Sequence, residues 1–171
     1  MSRRAVLDAG GGYRIREVAD RRAHLPLLLL ADEQPEMLAR YLDRGLMFAL
    51  EREGEVLAVC IVTDEGGGLL ELKNIAVAPA HQRRGYGRRL VEFLFDRFAG
   101  QFDTIEVGTG DSPLTVPFYE SLGFVRSRVI ADFFTENYDH PIVEGGVVLR
   151  DMVVLGKELS LADSDGCQGY K

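Results

Sequence analysis

A chain of 171 residues is long enough for one domain with a real core and short for two. Hydrophobic residues at 46% and charged residues at 27% are ordinary for a globular domain, and no apolar run approaches the roughly 20 residues of a membrane-spanning helix. The net charge of -7, from 27 acidic and 20 basic residues, argues against sequence-independent nucleic-acid binding and would suit a cationic partner drawn in by long-range attraction.

Residues 1–12 end in three glycines and are expected to be flexible; two arginines with no apolar segment behind them do not make a secretory signal. Residues 13–18 alternate and predict a first strand. Asp20 is placed to cap a helix running towards residue 33, disturbed by Pro26, and Pro35 opens a second that stops at Gly45. Residues 46–53 and 55–65 predict two strands joined by a tight turn at Gly54, and 69–77 a third, ended by Pro79. From Gly85, the apolar residues Leu90, Val91, Leu94, Phe95 and Phe98 fall at helical spacing, with a stop at Gly100. A strand at 104–108, a short helix at 113–123 capped by Gly123, and two strands at 124–134 and 147–156 complete the order. Residues 159–171 are expected to be a flexible tail, leaving 13–158 as one α/β domain with a mixed sheet. Cys60 lies in a strand pattern and Cys167 in the tail, so no disulfide is expected, a reducing cytoplasm is the expected location, and no Cys/His cluster suggests a metal.

The chemistry-bearing stretch is HQRRGYGRRL, residues 81–90. One reading is a plain helix start with a solvated arginine face. A dinucleotide turn is disfavoured because Leu90 stands where a third glycine belongs and residues 78–84 separate strand from glycine. The remaining reading is a pyrophosphate cradle, in which backbone N–H groups from 82 to 88 converge at a helix N-terminus. Gln82, Arg83, Arg84, Gly85, Tyr86, Gly87 and Arg88 would form it, the glycines admitting the ligand and the arginines adding charge at the rim.

NIAVAPAHQRRGYGRRLVEFL resembles the coenzyme A motif of the GNAT N-acetyltransferase superfamily, and VPFYESLGF resembles its second signature, a tyrosine-bearing helix ending in Gly-Phe. The segments GTGDSP, DFFTENYDHPI and LRDMVVL are similar to those of small bacterial GNAT proteins whose acceptors are largely unassigned. The resemblance implies a mixed, mostly antiparallel sheet of six or seven strands flanked by helices. It implies acetyl-CoA as co-substrate and direct transfer of the acetyl group to a primary amine of a small molecule or peptide. A non-catalytic acyl-CoA sensor is the alternative, and a homodimer stays open.

By the same resemblance, the backbone from Ile75 through Ala76 to Val77 pairs with the pantetheine arm, although both outer side chains also suit a core. Tyr119 matches the tyrosine that donates to the departing sulfur. Complete proton transfer from a phenol near pKa 10 to a thiolate near 8.5 is uphill by about 2 kcal/mol, which favours a hydrogen bond. Glu71 stands where one branch of the superfamily carries its base, on a face expected to include Lys73, Ile75 and Val77; an ion pair with Lys73 is the plain alternative. Asp111 stands near an asparagine that relatives use on coenzyme A or the acceptor, or else caps the helix behind it. His81 reads as a surface histidine, His24 and His140 have no partner pattern, and Asn74 projects to the opposite face from Glu71. Acidic and aromatic groups in residues 20–45 and in Asp132, Glu136 and Tyr138 would face a cationic acceptor.

Overall fold

Val56 to Val62 is apolar throughout, and a strand of that kind is stable only with both faces covered. In the computed structural model, which describes residues 7–8 and 11–159, this strand lies in the middle of the sheet. The strands are β1 Leu7–Asp8, β2 Tyr13–Glu17, β3 Leu46–Arg52, β4 Glu55–Asp64, β5 Leu69–Val77, β6 Thr104–Gly110 and β7 Val125–Ile130, with a small hairpin of β8 Val143–Glu144 and β9 Val147–Val148, and finally β10 Met152–Glu158. The main sheet runs β1-β2-β3-β4-β5-β6-β10-β7. Its neighbours are antiparallel except β5 and β6, which are parallel.

Parallel neighbours need a crossover, and α3, Tyr86–Phe98, supplies it. Its apolar stripe of Leu90, Val91 and Leu94 is fully buried against one face of the sheet, each side chain contributing about 1.5–3 kcal/mol by its removal from water. The other face is covered by α1, Leu25–Ala31, and by α2, Pro35–Ala39, with the turn after it; Leu28, Leu38, Tyr41 and Leu42 pack there on Val59 and Ile61. The remaining helices are α4, Val116–Ser121, and α5, Phe133–Asn137.

The predicted order holds, with local differences. Asp20 makes no side-chain cap; a short 3-10 turn, Arg21–His24, precedes α1, and Pro26 lies in the first turn of α1, where its missing N–H costs nothing. The strand expected at 124–134 stops at Ile130: Asp132 takes a left-handed φ of 57° and starts α5, fixed by an ion pair from Arg150 and by its own N–H on Asp151. The expected strand at 147–156 is split into β9 and β10, and the expected loop at 135–146 contains β8. Leu7 and Asp8 pair with Ile15 and Arg14 as an edge strand. The expected tail lies almost wholly outside the described residues, only Leu159 being among them.

β5 carries the departure that shapes the site. In its ladder with β4, Ile61 pairs with Asn74 and Val62 with Leu72, so Lys73 is an extra residue. Such a bulge bends the strand and inverts its alternation. Leu70 and Leu72 face α3 before it, Ile75 and Val77 do so after it, and Asn74 and Ala76 turn to the α1 side. The expected face shared by Glu71, Ile75 and Val77 therefore does not exist. Glu71, paired with Thr63 ahead of the bulge, sits on the same side as Asn74.

Candidate active site

Three pieces meet at the C-terminal half of β5. The first is the start of α3. Arg83 and Gly85 both have positive φ, 61° and 83°, which winds the chain into a concave turn. The first helical bond runs from Arg89 N–H to the Gly85 carbonyl at 3.0 Å, so the N–H groups of the preceding turn have no acceptor among the described residues. A Cβ built on Gly85 meets nothing within 4 Å, whereas one on Gly87 touches Val77 and Phe118 at ordinary contact distance. The space before Gly85 is open, and unpaired N–H groups at a helix N-terminus favour an anion there.

The side chains of this turn divide. Arg83 and Arg84 are exposed at the rim. Arg88 is paired with Glu92 at 3.2 Å and donates to the carbonyl and hydroxyl of Ser121 at 3.3 and 3.1 Å, which ties α3 to the end of α4. Gln82 donates to the Val77 carbonyl at 3.2 Å. Tyr86 is buried, its hydroxyl 3.2 Å from that of Tyr13, so only its backbone can face a ligand in the turn. His81 pairs with Glu55 at 2.8 Å.

The second piece is a split in the sheet. The β5–β6 ladder runs from Leu69↔Thr104 to Leu72↔Val107 and ends there, at the bulge. Beyond it the β6-facing edge of β5, from Lys73 to Val77, has no strand partner, and a cavity of about 660 Å³ opens between the two strands. Ile75, Ala76, Val77, Gln82, Gly108 and Tyr119 line it. Tyr119 is buried, edge-on to Phe118 and Phe124; burial, then the charge of Glu144, then Cys60, pushes its phenol well above the ordinary range. It is held as a neutral O–H donor.

The third piece is the far end of the same cavity, built from α1, the turn after α2, α5 and the β8–β9 hairpin. Asp32 accepts hydrogen bonds from Tyr41 and Tyr138, each at 2.8 Å, and Tyr41 in turn accepts one from Asn74 at 3.1 Å. Asn74 also donates to the Leu28 carbonyl at 3.0 Å, while its Oδ1 is buried without a partner. Residues 137–140 strap this end to the α1–α2 segment: Gln34 bonds both the Asn137 carbonyl and the Asp139 N–H, and His140 bridges Glu33 and Asp139. Those two carboxylates raise the His140 pKa, Asp139 first.

Of the expected site residues, Tyr119, Ile75, Ala76, Val77 and Gln82 line the one cavity, and Glu71 does so while ion-paired with Lys73 at 2.9 Å. Asp111 lies outside the lining, exposed and 3.6 Å from Arg126, and caps nothing: α4 starts at Val116, and the hydroxyl that accepts a turn N–H belongs to Ser112. Tyr138 is in the lining, but Asp132 and Glu136 are not. One partner of His140 gave no sign in its sequence neighbourhood, since Glu33 is 107 residues away. Asp32, Tyr41 and Glu144 went unnoticed because they converge from distant segments.

Residues 43–126 match the family model described as an acetyltransferase (GNAT) domain. The chain is 35% identical over 135 residues to an uncharacterised N-acetyltransferase of Bacillus subtilis, covering 78% of this chain and 87% of that one. A GNAT family acetyltransferase of Elizabethkingia anophelis, solved with acetyl-CoA bound, superposes with a TM-score of 0.81 at 28% identity, over 86% of this chain and 99% of that one. A Bacillus subtilis acetyltransferase solved in complex with CoA gives 0.79 at 32% identity, over 85% and 98%. With its strand order, its split between β5 and β6 and its cradle at the start of α3, the chain belongs to the GNAT acetyltransferase family.

Proposed function

We propose that the protein transfers an acetyl group from acetyl-CoA to the primary amine of a cationic small molecule or peptide. The observation that carries this reading is the continuity of one cavity, from the turn at Gln82, along the unpaired edge of β5, past Tyr119, to an acidic, aromatic end. The donor fits the residues present. Its pyrophosphate matches the acceptor-free N–H groups and open space before Gly85, with Arg83 and Arg84 as rim charges. Its extended pantetheine arm matches the strand edge from Lys73 to Val77. Bound there, acetyl-CoA supplies an activated acyl carbon and a thiolate leaving group.

The chain's own groups do the rest. The β5 backbone fixes the arm, and its N–H groups can support the carbonyl oxygen as charge develops. Tyr119 offers its O–H to the sulfur. With its pKa raised by burial, full proton transfer is further uphill than for a free phenol, so its role is a hydrogen bond to the developing thiolate. Tyr119, Phe134 and Leu149 bring buried, largely apolar side chains to the lining. Carboxylates outnumber cations by one in the lining: Asp32, Glu33, Glu71, Glu106 and Glu144, against Arg40, Arg44, Lys73 and Arg128. That balance suits an ammonium acceptor.

Calorimetry with acetyl-CoA, followed by thiol release over an amine panel, tests the proposal. Binding without amine-dependent release supports a sensor instead, and absence of binding overturns both.

A further inference from the structure

Acetylating an ammonium requires a group that takes its proton, and the five carboxylates lining the cavity differ in their freedom to do so. Glu71 is paired with Lys73 at 2.9 Å, and Glu106 receives two bonds from Arg128 at 3.0 and 3.3 Å. Glu33 is bridged by His140 at 2.6 Å, and Asp32 accepts the hydroxyls of Tyr41 and Tyr138. Among the described residues Glu144 makes no ion pair, and the neighbouring Ser112 hydroxyl favours its ionised form.

Glu144 is also built into place. It ends β8, directly before a turn whose two central residues, Gly145 and Gly146, have φ of 58° and 76°, the primed geometry that matches hairpin twist. The turn packs on Pro113 and Leu114, the segment leading into α4, with a Gly145 Cβ position 3.0 Å from Leu114. Ser112, buried at 2% exposure, thus stands against the hairpin, and α4 carries Tyr119 within reach of the Glu144 charge. Among the described residues, the groups that shift with the Glu144 charge or shift it are the Tyr119 phenol and the Ser112 hydroxyl, and neither is cationic.

We infer that Glu144 is the general base that deprotonates the acceptor ammonium, an assignment that rests on the amine-acetylating reading above. The ammonium gives one proton to Glu144, which passes it to solvent. The neutral nitrogen then forms a C–N bond to the acyl carbon as the C–S bond breaks. The second N–H proton ends on the departing sulfur, which Tyr119 hydrogen-bonds meanwhile. Protons and charge balance with no further reactant. Burial raises the Glu144 pKa and the Ser112 hydroxyl lowers it, the net shift being upward, towards the working range of a base.

The test is Glu144→Gln, assayed by thiol release with L-lysine amide, a linear diamine and a short peptide with a free α-amine. The expected loss in kcat/KM is about 10²- to 10⁴-fold, with acetyl-CoA affinity unchanged by calorimetry. Because the base works deprotonated, wild-type activity rises with pH through the Glu144 pKa; that acidic limb vanishes in E144Q. Ser112→Ala removes a hydroxyl that favours the carboxylate, so the limb moves to higher pH. A group with a folded pKa above its unfolded one destabilises the fold once ionised, so at pH 8 the melting temperature of E144Q stays level or rises. Glu144→Ala is a second variant, whose activity added formate restores. Activity retained by E144Q with its acidic limb intact overturns the base and leaves the transferase standing, as does loss of acetyl-CoA affinity in E144Q. Absence of amine-dependent release by the wild-type chain overturns both.

Discussion

The two ends of the proposed binding path are made in opposite ways. The cradle is a product of backbone: six consecutive residues, Arg83 to Arg88, present N–H groups that the helix cannot use, and Gly85 keeps the approach open. The far end is a product of side chains, with Asp32, Tyr41, Tyr138 and Glu144 arriving from four segments. A common donor can be held by main chain, which no single substitution removes. An acceptor must be chosen by groups that selection can exchange singly. Substitutions at the first end should therefore weaken donor binding whatever the acceptor, and those at the second should spare the donor.

Four substitutions sharpen this division, beside the Glu144 series. Tyr119→Phe, at the junction, should lower kcat by about 10²- to 10³-fold, the scale for removing one preorganised donor, with acetyl-CoA affinity intact. A parallel loss of affinity would instead make Tyr119 part of the donor site. Gly85→Val sets a β-branched residue at φ 83° and fills the open space, so acetyl-CoA should bind about 10- to 100-fold more weakly by calorimetry, equally for every acceptor. Asp32→Asn removes the charge that two tyrosines position; the acceptor KM should rise about tenfold while donor affinity stays, and a neutral acceptor would feel it least. Glu71→Gln breaks a partly exposed ion pair with Lys73 and should change kcat/KM by no more than about threefold. A large effect there would return the base to β5.

The same contrast explains what could be read from the residues. A cradle made of backbone leaves a local signature, because successive N–H groups at a helix start need glycines and a fixed gap from the strand. Tyr119, a few residues from its Gly-Phe landmark, was legible for the same reason. The sheet followed from alternation and turns, with β3 to β5 and α3 close to their predicted bounds. The far end was not legible, since Glu33 and His140, or Asp32 and Tyr138, meet across more than 100 residues. The misreading of 131–134 as strand has a local cause: its aromatic residues favour strands, while the contacts of Asp132 with the distant Arg150 and Asp151 help hold it in the turn. Glu71 was misplaced because one extra residue in a strand changes no composition and no spacing.

That extra residue, Lys73, has a consequence for engineering. Deleting it would restore regular alternation in β5, and β6 could then follow it beyond Leu72. Such a chain would gain ladder hydrogen bonds where the pantetheine arm is proposed to lie, with Ile75 and Val77 still on the α3 face. Selection for thermal stability alone would reward that deletion, and the library's most heat-resistant members would be inert. A screen on this scaffold therefore has to read catalysis and melting together, because here the sheet's irregularity is the proposed binding site.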